Sequence, residues 1–232
     1  MISSCSGDKQ QSAKGGEVQS AFVRLDGSQT GIDFANSLHE TEEENVLIYD
    51  GFYTGAGTGV LDINNDGRPD LFFASNQGPD KLYLNEGGFR FKDISKTAGV
   101  EGDTEWGAGV SVADVNADGF DDIYLCCHMY LDPVRRKNKL YINNGDNTFT
   151  ERAAEYGLDD AGFSINASFL DYDLDGDLDV YVINQPPNHN TTRNPIMAKG
   201  TPDFQYTDRL YRNDGNGKFT DVTRIAGVEN FA

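Results

Sequence analysis

The sequence has little of what marks membrane proteins, disulfide-rich proteins or nucleic-acid-binding proteins. No stretch of its 232 residues approaches the roughly 18 consecutive apolar residues of a membrane helix. It has only three cysteines, and their spacing gives neither a disulfide framework nor a zinc site. The 19 basic residues are outnumbered by 38 acidic ones, and the formal charge of −19 makes nucleic acid an unsuitable partner.

Catalytic motifs are also scarce. The three histidines, His39, His128 and His189, are isolated in the sequence. There is no nucleophile elbow, HExxH motif or Gly-rich phosphate loop. His128 near Arg135 and Arg136 is the one grouping that suggests catalysis, so the sequence favours a non-catalytic protein.

The three cysteines predict two different situations. Cys126 and Cys127 are adjacent in an apolar run, so as strand residues they point to opposite faces and are expected to be buried free thiols. Cys5 follows Ile-Ser-Ser, which resembles the end of a bacterial lipoprotein signal, and the polar residues Ser6–Gly16 resemble a tether. The basic and apolar parts of such a signal are missing, so a truncated start and an accidental match remain alternatives.

What the sequence does contain is an internal repeat. A nine-residue element begins at Asp62, at Asp114 and at Asp171. Every copy has Asp at positions 1, 5 and 9, Asp or Asn at position 3 and Gly at position 6. Three matches in phase with the rest of the repeat exclude chance Asp-Gly turns.

A second element recurs in phase with the first. It begins at Lys81, Lys139 and Arg209, continues with Leu-Tyr, and reads as two short strands around a Gly/Asn turn. Each unit therefore has four predicted strands. In the second unit they are Ala108–Ala113, Asp122–Cys127, Lys139–Asn143 and Thr148–Arg152. Four strands per 50–60 residues is typical of a propeller blade and predicts an all-β propeller with about three to four blades in this chain. Val46–Tyr49 is a further candidate, as the outer strand of another blade.

The Asp-rich loops predict calcium binding. Calcium takes six to eight oxygen ligands, and side chains at positions 1, 3, 5 and 9 with the carbonyl at position 7 supply them. Gly at position 6 allows the sharp reversal. We expect about three calcium ions, with the tightest site in the third loop because it has four carboxylates. The predicted ligands are Asp62, Asn64, Asp66, Arg68 (carbonyl) and Asp70; Asp114, Asn116, Asp118, Phe120 (carbonyl) and Asp122; Asp171, Asp173, Asp175, Asp177 (carbonyl) and Asp179.

Two other interpretations of the loops are weaker. An EF-hand needs Glu at position 12 and flanking helices, but position 12 is Phe73, Leu125 or Val182. Magnesium prefers a smaller and more rigid shell than such wrapping loops provide.

These elements resemble the FG-GAP/VCBS repeats of integrin-α-like propellers, and are most similar to bacterial proteins that carry them ahead of an ASPIC/UnbV region. The similarity covers about residues 46–232 and includes Gly57–Asp62, Trp106–Asp114 and Ala167–Asp171. It implies that the family's metal ligands are the twelve side chains above. Trp106-Gly107 stands for the aromatic-Gly pair, and no Gly-Ala-Pro follows, which argues against an integrin-like ligand site.

The resemblance also implies an organisation. Residues 1–16 are the expected tether, 17–45 lead into the propeller, and 46–100, 101–158 and 159–228 are the repeats. Family propellers have about seven blades, so we expect the sequence to be part of a longer protein at a bacterial cell surface, anchored through Cys5 or secreted.

Three functions fit these features. The leading hypothesis is a non-catalytic module that calcium stabilises and that binds a protein or polysaccharide through the long connections His128–Asn138 and Gln185–Asp208. The first connection holds an expected basic patch of Arg135, Arg136 and Lys137. The alternatives are part of a calcium-dependent polysaccharide lyase, and a scaffold that only displays another domain.

Overall fold

The computed structural model describes residues 22–49, 51–102, 105–130, 132–185 and 206–229. The predictions for Cys5, the tether, His189 and most of the connection Gln185–Asp208 fall outside these residues. In the described part of the chain the helices are single turns, and none has the length or apolar character of a membrane-spanning helix.

The described strands form three four-stranded antiparallel sheets, each in sequence order. The sheets are the three predicted blades, and every strand end of the second blade lies within one residue of the predicted end. Their bounds are β1 Thr58–Leu61, β2 Asp70–Phe73, β3 Lys81–Gly87 and β4 Arg90–Asp93; β5 Gly107–Ala113, β6 Asp122–Cys127, β7 Lys139–Asn143 and β8 Phe149–Glu151; β9 Ser164–Leu170, β10 Asp179–Asn184, β11 Arg209–Asn213 and β12 Phe219–Asp221.

Four single-turn helices complete the described elements: α1 Gly27–Thr30, α2 Ser95–Ala98, α3 Ala153–Tyr156 and α4 Thr223–Ala226. The last three follow the fourth strand of their blades. Each ends at a glycine with positive φ, as at Gly99 with φ of 78°. The repeated phrase Ala/Tyr-Gly-Val/Leu is therefore a helix C-terminus, which the search for longer helical periods did not predict.

The hydrophobic core lies between blades rather than within one sheet. Leu61, Phe72 and Leu82 of the first blade pack against Ile123 and Leu125 of the second. The opposite face of the second blade packs against the third blade in the same way, through Tyr124, Leu140, Val180 and Val182. The first strands β1, β5 and β9 lie side by side, with β5 in contact with both others. Blades stacked through their faces around adjacent first strands are the propeller arrangement.

Cys126 and Cys127 confirm the predicted alternation. Cys127 belongs to the core shared with the first blade and Cys126 to the core shared with the third. Both thiols are free and fully buried. Burial raises the pKa of each thiol, which keeps both protonated and unreactive at neutral pH.

The described residues before β1, 22–49 and 51–57, form no strand and cross the first blade; they are called the N-terminal strap. Phe34 stacks on Phe73 with ring centroids 5.0 Å apart, and Tyr83 Oη donates to Asp33 Oδ1 at 2.7 Å. The prediction of a strand at Val46–Tyr49 is wrong. Asn45 Oδ1 accepts the N–H groups of residues 47 and 48, so these donors close a turn instead of pairing with a strand.

Candidate metal centres

The first carboxylate of each Asp-rich loop folds the loop around itself. In the second loop, Asp114 Oδ1 accepts the N–H of Asp118 at 3.0 Å and Asp114 Oδ2 accepts the N–H of Gly119 at 2.8 Å. Asp62 and Asp171 make the matching pairs of contacts in the other two loops. The three loops therefore share one backbone conformation, with the carboxylate of position 1 turned inward.

Each loop contains two left-handed residues. Position 6 is glycine, as predicted, and its φ reaches 98° at Gly176. Position 4 is also left-handed although it is never glycine. It is Asn65 in the first loop, Ala117 in the second and Leu174 in the third, with φ of 56°, 57° and 64°. Position 4 was not predicted because its residue type varies between copies. Two left-handed bends curl the loop so that alternate side chains converge.

The ninth residue of each loop, a predicted metal ligand, also has a structural role. Asp70, Asp122 and Asp179 are at most 1% exposed. In the second loop Asp122 Oδ2 accepts the N–H of Val115 at 2.9 Å, and Asp122 Oδ1 accepts the N–H of Asn143 at 2.8 Å. The other loops have the same two contacts. Burial is the largest cause that raises the pKa of Asp122, to about 7, and it also raises that of Asp70.

Three asparagines outside the loops hold this arrangement, and sequence reasoning missed them. They lie on the third strand of each blade. The amide of Asn143 donates to the Asp121 carbonyl at 3.2 Å, and its Oδ1 accepts the N–H of Gly145 at 2.9 Å. The other two repeat these contacts. The signal was present in the sequence, because every hairpin element has Asn at its fifth position: Asn85, Asn143 and Asn213.

Three carboxylates of the third loop converge on one point. Asp171, Asp173 and Asp179 each offer an oxygen, and these oxygens all lie within 4.8 Å of one another. Oxygens on opposite sides of one calcium ion are about 4.6–5.2 Å apart, which is twice the usual ligand distance. Desolvation and the charges of Asp175 and Asp179 raise the pKa of Asp173. Carboxylates that repel one another at this spacing fit a bound cation.

The remaining predicted ligands differ between loops. The residue at position 5 accepts the N–H of position 7 in all three loops, as Asp118 does from Phe120 at 2.9 Å. In the first loop Asp66 is also paired with the guanidinium of Arg68, with Nη2 and Oδ2 2.5 Å apart. This pairing competes with a metal ion for the Asp66 carboxylate. The carbonyl ligands at position 7 stay a prediction.

Hydrogen bonds connect the first loop directly to the second, and the carboxylate contact among them has no counterpart between the second loop and the third. Asp121 Oδ2 accepts the N–H of Asp62 at 3.0 Å, and the amide of Asn65 donates to the Gly119 carbonyl at 2.8 Å. Asn143 adds a contact to the Ile63 carbonyl at 3.0 Å. Leu178 stands in the third loop where the second loop has Asp121, so the carboxylate contact has no counterpart there.

The expected basic patch at the other end of the blades is not a free patch. Arg136 is 2% exposed, donates to the carbonyls of Ala161 and Tyr130, and stacks on the ring of Phe163. Lys137 pairs with Asp159 at 2.6 Å. The guanidinium of Arg135 lies 3.4 Å from the centre of the Tyr130 ring. Each of the three cations therefore has a carbonyl, aromatic or carboxylate partner within the chain. The sequence pattern alone could not indicate these contacts.

His128 is likewise part of the interior. It is 2% exposed, its Nε2 lies 3.0 Å from the Gln185 carbonyl oxygen, and its ring packs against Tyr49 and Phe163. A histidine in this position is not accessible to a polysaccharide. The grouping of His128 with Arg135 and Arg136 therefore has a structural explanation.

The fold and the loops define a β-propeller repeat protein with Asp-rich turns between the first and second strands of its blades. The sequence profile of the FG-GAP-like repeat matches residues 62–125 and 130–182, which is half of the chain. The chain belongs to the FG-GAP-like repeat family, as the repeated elements predicted. The closer kinship to bacterial ASPIC/UnbV-type proteins stays a prediction.

Curated relatives support the same assignment. Cartilage acidic protein 1 of Homo sapiens is 29% identical over 141 residues, covering 55% of this chain and 20% of that protein. The Xenopus tropicalis protein of the same name is 40% identical over 72 residues, covering 31% of this chain and 11% of that protein. The chain thus spans about a fifth of the length of the human relative.

A solved structure with partial similarity concerns recognition of non-reducing terminal N-acetylglucosamine by an Agrocybe aegerita lectin. It has a TM-score of 0.39 and 19% sequence identity, and the match covers 70% of this chain and 36% of the lectin chain. A similarity of this size carries no information on the ligand of this protein.

Proposed function

We propose that this chain is a calcium-stabilised, non-catalytic propeller module that recognises a protein or polysaccharide outside the cytoplasm. Calcium has a structural role, because the ninth residue of each loop is also the first residue of a strand. An ion held by positions 1, 3, 5 and 9 therefore fixes the hairpin of the first two strands. Extracellular modules have dissociation constants of about 10⁻⁴–10⁻³ M, so calcium outside the cytoplasm suits loops of this kind.

The observation that carries the proposal is the convergence of Asp171, Asp173 and Asp179 in a loop whose backbone recurs twice more. The first two loops have Asn64 and Asn116 where the third has Asp173. One less negative charge lowers the attraction for a divalent ion. The third loop is accordingly the tightest of the three sites.

This difference gives a reciprocal test by isothermal titration with calcium chloride. Asp173→Asn gives the third loop the amide of the other two and is expected to weaken the tightest site about tenfold, or about 1.4 kcal/mol. Asn116→Asp is expected to strengthen the second site by a similar factor. Both side chains are exposed. Asn116→Asp also removes the hydrogen bond that the Asn116 amide donates to Asp118 Oδ2 at 2.9 Å, so Asp173→Asn is the cleaner of the two tests.

The matched control is Asp146→Asn, an exposed aspartate in a hairpin turn outside the loops. Its titration should equal that of the wild type. Equal titrations for Asp173→Asn and wild type, or no heat of calcium binding at all, would contradict the proposal.

The end of the blades opposite the loops is the proposed recognition surface. A cavity of about 570 Å³ opens there between the N-terminal strap, the β2–β3 connection and the β6–β7 connection. His39, Gln77, Tyr130 and Arg135 are among its lining residues. Polar groups beside an aromatic ring suit a polar ligand such as a sugar or a peptide.

The grouping of His128 with Arg135 and Arg136, which suggested the lyase alternative, does not support it. A lyase needs an accessible base beside a cation that binds the sugar carboxylate. His128 is buried, and Arg136 is enclosed by carbonyl groups and the Phe163 ring. We therefore retain the binding module as the single proposed function.

A further inference from the structure

A polar residue stands immediately before the third strand of every blade and has the same first role in each. It is Asp80 in the first blade, Asn138 in the second and Asp208 in the third. Its Oδ1 accepts the N–H of the residue five positions after the ninth aspartate of the loop. The donors are Ser75, Cys127 and Asn184, at 2.7, 2.8 and 2.9 Å. All three acceptor side chains are buried.

In the second and third blades the second polar atom of this side chain has hydroxyl partners. The amide of Asn138 donates to Tyr124 Oη at 3.0 Å and to Ser164 Oγ at 2.9 Å. Asp208 Oδ2 accepts a hydrogen bond from Tyr181 Oη at 2.9 Å. Tyr124 and Tyr181 occupy one repeat position, two residues after the ninth aspartate of the loop.

The first blade lacks both kinds of hydroxyl. Phe72 occupies the position of the two tyrosines, and Gly107 starts β5 where Ser164 starts β9. Within the described residues Asp80 Oδ2 consequently has no hydrogen-bond partner, although Asp80 is only 2% exposed. No ion pair among the described residues involves Asp80. A buried carboxylate oxygen without a donor is costly, so this oxygen needs either a proton or a cation as its partner.

A second carboxylate lies beside Asp80 in the described residues. Glu105 is 9% exposed and stands two residues before Gly107, where the third blade has Gly162. A Cβ built on Gly102 would lie 2.6 Å from Glu105 Oε1 and 3.3 Å from Asp80 Oδ2, so both carboxylates face the same point. Burial, with the charge of Glu105 as a smaller contribution, raises the pKa of Asp80 to about 8.

The point where the two carboxylates meet adjoins an open cavity. Gly102 and Glu105 line a space of about 380 Å³, together with Glu101, Lys139, Tyr141 and Glu151. Three of these side chains are acidic and one is basic. The cavity gives an ion a route from solvent to the carboxylates and leaves room for water ligands. Hard carboxylate oxygens suit a divalent ion such as calcium or magnesium.

We propose that Asp80 and Glu105 bind one divalent cation between the first and second blades, at the end opposite the Asp-rich loops. This site shares no ligand with the three loops. It is specific to the first pair of blades, because Asn138, Tyr124 and Ser164 form a satisfied neutral network at the matching place between the second and third blades.

The test is a count of bound ions by native mass spectrometry, with calcium and then magnesium as the added metal. Asp80→Asn introduces the residue of the second blade and is expected to remove one ion from the wild-type count. Glu105→Gln is expected to remove the same ion, so the result does not depend on one variant folding. Asp208→Asn is the matched control in the third blade and should leave the count unchanged.

The alternative occupant of the pair is a proton. Equal ion counts in wild type, Asp80→Asn and Glu105→Gln with both metals would overturn the proposal. A carbon NMR titration in which the Asp80 carboxyl keeps its proton at saturating metal would also overturn it. A wild-type count of one ion that Asp80→Asn removes would contradict calcium binding by the loops, but it would support the Asp80 site.

Discussion

Removal of calcium with a chelator is expected to lower the melting temperature by on the order of 20 °C. An ion that binds only the folded chain adds about 2.7 kcal/mol when its concentration is a hundredfold above the dissociation constant, and three loops contribute. Removal of the ions also exposes the mutual repulsion of three or four carboxylates in each loop. Thermal melting followed by circular dichroism, with and without excess chelator, measures the effect.

Magnesium chloride provides the control for ionic strength and charge. After removal of the chelator, calcium is expected to restore most of the lost melting temperature. Magnesium at equal concentration is expected to restore only a small part, because the wrapping loops suit the larger ion. Equal melting temperatures in calcium and in chelator would contradict a structural role of the ion, whatever the affinity of the loops.

Asp122→Ala is expected to destabilise the protein by about 3–5 kcal/mol even in chelator. Both carboxylate oxygens of Asp122 accept backbone N–H groups, from Val115 and from Asn143, and the side chain is fully buried. Alanine leaves these two donors without partners in the core of the second blade. Urea unfolding in chelator measures this cost separately from the loss of calcium.

Asp118→Ala in the same loop is the matched comparison. Asp118 is exposed and accepts the N–H of Phe120 at the loop surface, so its removal in chelator is expected to cost less than about 1 kcal/mol. In calcium both variants lose the second site. A similar cost for the two variants in chelator would show that the ninth aspartate acts only through the metal.

The repeat made much of the fold predictable from the sequence. Short runs of apolar and aromatic residues bounded by turns predicted β6 and β7 at their observed ends, Asp122–Cys127 and Lys139–Asn143. Cys126 and Cys127 were correctly predicted to point to opposite faces, because a strand alternates its faces, and the structure places those faces in two different cores. Three in-phase copies supplied what one copy cannot, which is a comparison of equivalent positions within a single sequence.

The unpredicted features depend on contacts between distant residues or on single turns. Asn143 meets Asp122 across 21 residues, and no local pattern indicates that contact. Helices of four residues are too short to show a hydrophobic period, which is why α2 to α4 were missed. Val46–Tyr49 has strand-like residues, but Asn45 captures its backbone donors in a turn.

The ends of the blades show a similar limit. Arg135, Arg136 and Lys137 read as a basic patch because the three cations are consecutive in an acidic protein. Their partners Tyr130, Phe163 and Asp159 come from two connections that only the fold brings together. A charge cluster in sequence therefore does not define a binding surface until its own ion pairs and ring contacts are known.

The most direct test of the proposed calcium centres is a crystal structure grown in calcium, with anomalous diffraction recorded at a long wavelength. We expect an anomalous peak in each of the three loops, surrounded by the side chains at positions 1, 3, 5 and 9, and the strongest peak beside Asp171, Asp173 and Asp179. Loops that keep their described conformation in calcium but show no anomalous density in any copy would contradict the account.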